Sequence, residues 1–474
     1  MPTIVKTEVL VIGAGPGGYV AALRAAQLGK KVVVVERDKP GGTCLNVGCI
    51  PSKALITAAK LVDKIREAGE MGITVEGLKV DFARMQAWKE GVVGKLTGGV
   101  KQLLKAAGVT LVTGEARFVS PRAVEVVGTT EPTRIEFDAC IVATGSRPVQ
   151  VPGFAFDGKR VVDSTGALAF AKVPDRLCVI GGGYIGLETG TAYAKLGSKI
   201  TVVEMTEHLL PGTDPDLVTI VERKLKKKGV AVHLKTRAKG FEDAGGALRV
   251  AIEAEGHASG PSTVECDAIL VTVGRAPVTD TLDLARAGVK TDAKGFIPVD
   301  EARRTNVPHI YAIGDIAGGP MLAHKAYREG EVAAEVIAGK KSAFDPRCIP
   351  AVIFTDPEIA YAGLSEPEAR AAGRDVLIGK FAFSANGRAL TAAETDGFVK
   401  VVVGREEHDI LGVAIVGPEA SDLIAEACLA IEMGALVPDV ALTIHAHPTL
   451  SETVAEAVRA AVGEALHAAA KPSR

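Results

Sequence analysis

The sequence predicts an α/β protein with two doubly wound β-α-β domains and, at its carboxyl end, an α+β domain. Short runs rich in Val and Ile alternate with amphipathic helical patterns from the amino terminus onward. A glycine-rich β-α-β pattern occurs twice, and the alternation stops beyond Lys340. Strands that alternate with helices are typical of a parallel sheet covered by helices on both faces.

The length and composition are those of an ordinary globular protein with several domains. A chain of 474 residues is long enough for about three domains of ~150 residues. Hydrophobic residues make up 47%, charged residues 24%, and the formal net charge is −2, so nothing favours nucleic acid as a partner. Met1–Lys6 runs directly into an apolar strand, and no apolar run reaches the ~18 residues needed to cross a bilayer. We therefore expect a cytoplasmic protein that does not bind a membrane.

The first β-α-β pattern contains a glycine-rich turn between its first strand and its helix. Its predicted elements are the strand Glu8–Ile12, the helix Tyr19–Leu28 and the strand Lys31–Glu36. Gly13, Gly15 and Gly18 match G-x-G-x-x-G, in which glycines let the backbone approach a pyrophosphate at the positive end of the helix. Glu36 ends the second strand, where a carboxylate accepts hydrogen bonds from ribose hydroxyls. A tight turn followed by a surface acid is the alternative, but the order of strand, turn, helix and acid favours a Rossmann-like dinucleotide-binding domain.

The second pattern repeats the first at a constant offset. Its predicted elements are the strand Arg176–Ile180, the helix Tyr184–Leu196 and the strand Lys199–Glu204. Gly13 and Gly181 are 168 residues apart (181 − 13), as are Glu36 and Glu204 (204 − 36), so glycines and acids keep register. A carboxylate at Glu204 repels a 2′-phosphate, which favours NAD over NADP. Two dinucleotides in one chain predict an electron relay in which a flavin lies beside a nicotinamide.

Outside the two glycine-rich patterns, the sequence predicts two sheet edges that face a ligand and the third domain. Ala268–Val273 ends at Gly274, and His309–Ile313 ends at Gly314 and Asp315, as strands do where a sheet meets a ligand. Beyond Lys340 the pattern changes to antiparallel strands and amphipathic helices. The predicted elements there are the strand Phe398–Val403 and the helices Ser421–Met433 and Ser451–Ala469.

Cys44 and Cys49 are the two closely spaced cysteines among seven. This C-x4-C pair begins a helix with Pro51 in its first turn, and in a cytosolic chain it indicates redox or metal chemistry. The helix dipole stabilises a thiolate and lowers its pKa, and Lys53 adds positive charge. No second cysteine pair or nearby histidine completes a zinc site, so no metal is expected. The other five cysteines stand singly and are interpreted as buried small hydrophobic residues: Cys140, Cys178, Cys266, Cys348 and Cys428.

The run GGTCLNVGCIPSK, which contains both cysteines, resembles the active-site segment of class I pyridine nucleotide-disulfide oxidoreductases. Leu45 and Ser52 are most similar to the dihydrolipoamide dehydrogenase branch of that family. The resemblance implies FAD and NAD as cofactors and a Cys44–Cys49 disulfide. It further implies that Cys44 exchanges with the substrate disulfide and that Cys49 makes the charge-transfer contact with the flavin. The implied reaction oxidises a protein-bound dihydrolipoamide, reduces NAD to NADH and contributes to cell redox homeostasis.

The resemblance also divides the chain and assigns contacts to the two cofactors. It implies an FAD-binding domain in residues 1–150, an NAD-binding domain in 151–277, the second part of the FAD-binding or central domain in 278–348 and an interface (dimerisation) domain in 349–474. To the flavin side it assigns Gly13, Gly15, Gly18, Glu36, Lys53, Gly114, Thr144, Gly145, Ser146, Asp315, Met321, Leu322, Ala323 and His324. To the NAD side it assigns Gly181, Gly183, Tyr184, Ile185, Gly186, Glu188, Glu204, Ala238 and Gly274. Without the resemblance, Asp315 would be interpreted as a strand-end cap and His324 as a structural histidine.

His447 and Glu452 near the carboxyl terminus are the candidate base and its partner. Deprotonating a dithiol near neutral pH needs a group whose pKa lies close to that pH, and an imidazole held by a carboxylate meets this need. The resemblance implies that His447 is the base, that Glu452 orients it, and that the pair reaches the site of the other subunit in a homodimer. A histidine and a glutamate at this spacing are otherwise structural, and His445 is interpreted as a packing neighbour.

The resemblance implies a lipoyl-bearing partner, and the sequence disfavours three other kinds of function. The implied partner is a separate lipoyl-bearing acyltransferase of a 2-oxo acid dehydrogenase complex or the carrier protein of glycine cleavage. Glutathione reductase would require arginines near Glu204, and mercuric or large thioredoxin reductases would require cysteines near the carboxyl terminus. A flavin-holding scaffold or redox sensor is the alternative from another class, but the base, the cysteine pair and both glycine-rich turns argue against it. One departure from the family is Val278, which stands where an asparagine is usual.

Overall fold

A computed structural model describes residues 3–129, 133–255 and 263–467. The chain forms two compact units. The first unit comprises the chain up to Val151 together with Ala155–Lys172 and Thr272–Asp345, and the second comprises Pro152–Phe154, Val173–Val271 and the chain from Pro346 onward.

The helices and strands follow the chain in three stretches. Up to Leu168 they are β1 (Thr3–Ile12), α1 (Pro16–Gln27), β2 (Val32–Glu36), α2 (Gly42–Val47), α3 (Cys49–Glu67), the 3-10 helix η1 (Ala68–Met71), α4 (Phe82–Ala106), β3 (Thr110–Thr113), β4 (Glu115–Ser120), β5 (Ala123–Val127), β6 (Thr133–Val142), β7 (Ser146–Pro148), β8 (Val161–Val162) and α5 (Ser164–Leu168). The middle stretch contains β9 (Arg176–Ile180), α6 (Tyr184–Lys195), β10 (Lys199–Val203), α7 (Pro215–Lys227), β11 (Ala231–His233), β12 (Thr236–Asp243), β13 (Leu248–Ala254), β14 (Thr263–Cys266), β15 (Ala268–Val271) and β16 (Arg275–Pro277). The last contains α8 (Leu284–Ala287), β17 (Ile310–Ala312), η2 (Gly314–Ala317), α9 (Ala323–Ile337), β18 (Ala351–Ile353), β19 (Glu358–Gly363), α10 (Glu366–Ala371), β20 (Val376–Ala382), η3 (Phe383–Ala385), α11 (Gly387–Thr391), β21 (Phe398–Gly404), β22 (Ile410–Gly417), α12 (Ala420–Met433), α13 (Val437–Ala441) and α14 (Glu452–Ala461).

The first unit is built on a sheet with strand order β3-β2-β1-β6-β5-β4, to which β17 adds by pairing with β6. β1 is parallel to both β2 and β6, and β17 is parallel to β6. Their register places Ile12, Val142 and Ala312 side by side. Because parallel strands end at the same edge, the segments after these three residues meet there, as in other doubly wound sheets.

The second unit contains a parallel sheet and an antiparallel domain. β11, β10, β9 and β15 are neighbours in a parallel sheet, and β12, β13 and β14 form an antiparallel one. The chain beyond Pro346 forms the antiparallel sheet β18-β19-β22-β21-β20, on which α12 and α14 pack. Buried Val and Ile side chains of β21 and β22 form its core with apolar residues of both helices. The predicted fold class is therefore confirmed.

Element ends differ from the predictions where tertiary pairing or a turn decides them. β1 begins at Thr3 rather than Glu8, since residues 3–7 pair with β6. The helix predicted for 451–469 ends at Ala461, and Gly463 then adopts a left-handed φ of 79°. The last two residues of that predicted helix lie outside the described part of the chain.

Candidate active site

The first glycine-rich turn has the packing that a phosphate cradle requires. Gly13 has a φ of 99°, and a Cβ there would lie 2.4 Å from the Ala143 carbonyl oxygen. A Cβ on Gly18 would lie 1.9 Å from the Gly13 carbonyl oxygen, so both positions exclude any larger residue. A Cβ on Gly15, at the N-cap of α1, would have no heavy atom within 4 Å. No side chain caps that helix end. The first-turn N–H groups are thus directed at a space that an anion can enter.

Two carboxylates hold the two glycine-rich turns in the same way. Glu36 accepts hydrogen bonds from the N–H of Ala14 at 2.7 Å and of Asp38 at 2.9 Å. Glu204 accepts them from the N–H of Gly182 at 2.6 Å and of Thr206 at 2.7 Å. The repeat seen in the sequence is therefore also a repeat of hydrogen bonds. Each acid fixes its own turn while lying at the end of the strand where a ribose would bind.

The remaining NAD-side candidates lie at α6, on β12 and in the loop between β15 and β16. Gly183 is the uncapped N-cap of α6 and faces open space, and Tyr184 at the first turn is exposed, followed by Ile185 and buried Gly186. Glu188 is buried farther along α6 and accepts a hydrogen bond from the Phe354 N–H at 2.9 Å. Ala238 lies in β12, where the register shifts before Gly240. Gly274, in the first unit, is exposed with a φ of 133°.

The cysteine pair lies at a break between two helices beside the first glycine-rich turn. α2 carries Cys44, Gly48 interrupts the helix, and Cys49 is the first residue of α3. The segment is tied to the turn by the Gly41 N–H, which donates to the Ala14 carbonyl at 2.7 Å. Both cysteines are thiols, Cys44 half-buried and Cys49 exposed, and the two are hydrogen-bonded to each other.

The expectation of a lowered thiol pKa is wrong for Cys44. The hydrogen bond with the Cys49 thiol and burial raise the pKa of Cys44 far above its ordinary value, although nearby Lys53 acts to lower it. The prediction placed the cysteine pair at the start of one helix with Pro51 in its first turn, whereas Cys44 lies in the separate six-residue helix α2. The long helix instead begins at Cys49, so the favourable helix end belongs to that residue.

The flavin-side residues Thr144, Gly145 and Ser146 form a turn held from several directions. The Ser146 hydroxyl donates to Asp315 at 2.5 Å, and Arg275 donates to the same hydroxyl at 2.7 Å. The Thr144 hydroxyl donates to the carbonyl of Val278 at 2.7 Å, and the Val278 N–H donates to Gly145 at 3.0 Å. Val278 therefore holds the turn through its backbone.

The other flavin-side candidates lie near the same edge of the sheet. Gly114 follows β3, and a Cβ there would lie 2.6 Å from Val126, so its φ of 154° needs glycine. Met321 precedes α9, Leu322 is its N-cap, and Ala323 and exposed His324 are its first residues. No side chain caps this helix end either.

Three histidine–glutamate pairs occur near the carboxyl terminus of the described chain, and one of them joins His467 to Glu456 at 3.1 Å. His447 Nδ1 lies 2.9 Å from Glu452, whose other oxygen accepts the Thr449 N–H at 2.8 Å. His445 Nε2 lies 2.7 Å from Glu426. The side chain of His447 is 79% exposed and that of His445 is 9% exposed. A proton acceptor must reach its substrate, so the geometry favours His447 as the base and His445 as a packed neighbour.

Comparison with known proteins places this arrangement in one family. Residues 7–330 match the pyridine nucleotide-disulphide oxidoreductase family, and residues 349–458 match the dimerisation domain of that family. The chain belongs to the pyridine nucleotide-disulphide oxidoreductases. It is 52% identical over 463 residues to a dihydrolipoyl dehydrogenase of Geobacillus stearothermophilus, covering 98% of both chains, and 51% identical over 465 residues to one of Haloferax volcanii, covering 97% of both. Among solved structures it is similar to LpdA of Mycobacterium tuberculosis, with a TM-score of 0.89 and 29% identity over 96% of this chain and 99% of that one.

As a pyridine nucleotide-disulphide oxidoreductase, the protein is an enzyme that uses FAD and NAD. The geometry of the first unit fits a flavin dinucleotide. The open face at Gly15, the uncapped end of α1 and the cysteine pair tied to the same turn are the features such a cofactor needs. Whether a metal binds stays a prediction; among the described residues no group of three or more His, Cys, Asp and Glu is arranged to hold an ion.

A buried ion cluster behind Asp315 was missed by the sequence analysis. Glu329 of α9 is fully buried and accepts a hydrogen bond from the Gly314 N–H at 2.6 Å. It also pairs with Lys325 at 2.9 Å and Arg303 at 3.0 Å, and Lys325 donates to the Gly318 carbonyl at 2.8 Å. Both ends of η2, which carries Asp315, are thus held by this cluster. In the sequence, Lys325 and Glu329 have the spacing of an ordinary surface pair on a helix, and their burial depends on the packing of α9 against η2 and Arg303.

The interpretation of the five single cysteines as buried small hydrophobic residues is confirmed for Cys140, Cys178 and Cys266 and is wrong for Cys348 and Cys428, which are half-buried. Cys178 and Cys266 contact each other in the core of the second unit, and Cys348 and Cys428 contact each other beside α12. Cys140 is buried alone in the first unit, where desolvation raises its pKa. Residues up to 88 positions apart in sequence (266 − 178) pair here because sheet packing brings them together.

The helical stretch 42–71 is long and apolar enough to cross a membrane by length and composition, with a mean hydropathy of 1.2. It consists of α2, α3 and η1 and carries the cysteine pair. α3 packs on α4 and buries Leu55, Ala59 and Val62. Of its apolar 18-residue window, 33% is buried within the structure.

Proposed function

We propose that the protein is a dihydrolipoyl dehydrogenase, which oxidises a protein-bound dihydrolipoamide to lipoamide and reduces NAD to NADH. The observation that carries this proposal is the Cys44–Cys49 thiol contact at the start of α3, joined to a glycine-rich turn that fits FAD. Relatives about half identical over nearly their whole length bear that name, which supports the same substrate class. When bound, FAD accepts the electron pair from the cysteine centre and passes it to NAD as hydride.

The two cysteines take different parts in the proposed reaction. In the oxidised enzyme they form a disulfide, and the thiolate of dihydrolipoamide attacks Cys44 while Cys49 leaves as the thiolate. The second substrate thiolate then displaces Cys44 and closes the lipoamide ring. The position of Cys49 at the first residue of a 19-residue helix stabilises the negative charge that it acquires.

His447 removes the proton from the substrate dithiol. Glu452 fixes the ring through Nδ1, which leaves Nε2 as the nitrogen that accepts the proton. Burial acts to raise the pKa of Glu452, but the Thr449 N–H and His447 outweigh it and hold that pKa below its ordinary value. The carboxylate is therefore ionised throughout the neutral range and stabilises an imidazolium. We propose that this pair serves the cysteine centre of the partner subunit.

The proposal is tested by anaerobic reduction with dihydrolipoamide while the flavin spectrum is recorded. We expect a thiolate-to-flavin charge-transfer band at the two-electron level, accompanied by steady-state NADH formation. A Cys49→Ser variant should lose both, whereas Cys140→Ser, a change at a buried cysteine outside the centre, should keep both. Equal turnover of wild type and Cys49→Ser would overturn the proposal.

We further propose that the protein is a homodimer formed through residues 349–474. The support is the dimerisation-domain match together with exposed apolar side chains on and after α12, among them Met433 (74% exposed), Leu442 (79%) and Ile444 (95%). Exposed apolar groups in one region mark an interaction surface. Sedimentation should give a dimer, which Met433→Glu with Leu442→Glu converts to a monomer. Leu103→Glu, at an exposed leucine of α4, should leave the dimer intact.

The domain assignments, cofactor contacts and cellular setting complete the proposal. We propose that the FAD-binding, NAD-binding, central and interface domains have the predicted ranges and that the predicted residues contact the two cofactors. We propose a cytoplasmic enzyme whose partner is a lipoyl-bearing acyltransferase or the glycine-cleavage carrier protein. Reduction of NAD with each purified lipoyl protein as the sole substrate would identify which of them is used.

A further inference from the structure

Cys348 and Cys428 form a second, half-buried sulfur pair distant in sequence from the Cys44–Cys49 centre. Cys348 lies in the segment before β18, and Cys428 lies on α12. The Cys348 sulfur is 3.9 Å from the Cys428 carbonyl oxygen, and the two thiols are hydrogen-bonded to each other. The Cys348 N–H donates to Glu432, one turn farther along α12, at 3.2 Å.

We propose that Cys348 and Cys428 are a second redox-active site, which low-molecular-weight aliphatic disulfides oxidise to a disulfide bond. Closing the bond needs the sulfurs to approach from contact distance to ~2 Å. Cys348 lies outside helices and strands, so its backbone can shift by the small amount required. The bond joins positions 80 residues apart in sequence (428 − 348) and closes a loop that contains all five strands of the antiparallel sheet.

The reaction is an ordinary thiol–disulfide exchange in two steps. One cysteine thiolate attacks the small disulfide, forms a mixed disulfide and releases one small thiolate. The second cysteine thiolate attacks the mixed disulfide, forms the Cys348–Cys428 bond and releases the other. The two cysteines are oxidised, the small disulfide is reduced to two thiols, and the protons of both cysteines pass to the released thiolates.

The surroundings indicate which cysteine attacks first and that the attack is slow. Burial, the Cys428 thiol and the Glu432 carboxylate raise the pKa of Cys348 to about 12. Burial and Glu432 also raise the pKa of Cys428, but its hydrogen bond with Cys348 acts in the opposite direction. Cys428 therefore ionises more readily and attacks first, and Cys348 resolves the mixed disulfide.

Cys178 and Cys266 provide an internal comparison. They are also in contact, but their exposed fractions are 0% and 1%. An oxidant from solution should reach the Cys348–Cys428 pair and not this buried pair.

The experiment exposes the dimeric holoenzyme to cystamine at alkaline pH, blocks the remaining thiols and maps peptides without reduction. We expect a peptide joining Cys348 to Cys428, lighter by two hydrogen atoms, and no Cys178–Cys266 link. In Cys348→Ser, Cys428 should stay trapped as a mixed disulfide, whereas in Cys428→Ser the modification of Cys348 should be several times slower. Turnover with dihydrolipoamide should be unchanged in both reduced variants. Absence of the 348–428 link, or its appearance only together with the 178–266 link on unfolding, would overturn the proposal.

Discussion

Replacing Glu329 by glutamine should destabilise the first unit strongly, because it removes the anion of a buried ion cluster. Glu329 is fully buried, and the side chains of its partners Lys325 and Arg303 are 5% and 12% exposed. Glutamine keeps the size of the side chain and an oxygen that can accept the Gly314 N–H, so the charge is the main change. Leaving cations buried without their partner costs about 3–5 kcal/mol.

The assay compares Glu329→Gln with Glu331→Gln on the same helix. Glu331 pairs with Arg328 at 3.1 Å on the surface, where both side chains are about half exposed and such a pair is worth about 0–1 kcal/mol. Urea unfolding of the FAD-free proteins, monitored by circular dichroism, gives the loss in free energy of unfolding for each variant. Because Glu329 holds the turn that carries Asp315, flavin fluorescence should also show FAD binding weakened about tenfold or more.

Equal losses of unfolding free energy in Glu329→Gln and Glu331→Gln would refute this reasoning. So would a destabilised Glu329→Gln protein with unchanged FAD affinity, since the cluster would then support the fold without positioning Asp315. The result separates the two roles because stability and cofactor affinity are measured on the same variant.

The remaining predictions concern the reaction and its pH dependence. Glu204→Gln should raise kcat/KM for NADP relative to NAD, since it removes the carboxylate that repels a 2′-phosphate; an unchanged ratio in steady-state assays would contradict this function of Glu204. Glu452→Gln should lower kcat about 10–100-fold while the two-electron spectrum with one equivalent of dithionite is retained, whereas a variant that also lost this spectrum would indicate damage to the flavin site instead. Because the pKa of Glu452 lies below its ordinary value of 4.5, its ionised form contributes stability that is complete above pH 4.5 and is lost as the pH falls through the lowered value. Glu452→Gln should therefore reduce the decline in unfolding midpoint below pH 4.5, and a midpoint that declines as in the wild type would contradict the assigned ion pair.

The local features of this protein could be read from its sequence. The strand–turn–helix order around Gly13 and Gly181, the acids Glu36 and Glu204, and the C-x4-C run each depend on residues close together along the chain. Backbone conformation and periodic burial are short-range properties, so the two β-α-β patterns and the change of architecture beyond Lys340 are visible without a structure.

Contacts between distant segments required the tertiary structure. The charge cluster around Glu329 and the sulfur pairs Cys178–Cys266 and Cys348–Cys428 join residues whose spacing in sequence carries no signal. The raised pKa of Cys44 depends on its hydrogen bond with Cys49 and on burial, which the spacing of the cysteines does not specify. Sequence determined which short segments form and which chemical groups they carry, whereas packing decided which of those groups are buried and paired, because burial and pairing depend on what the rest of the chain places beside them.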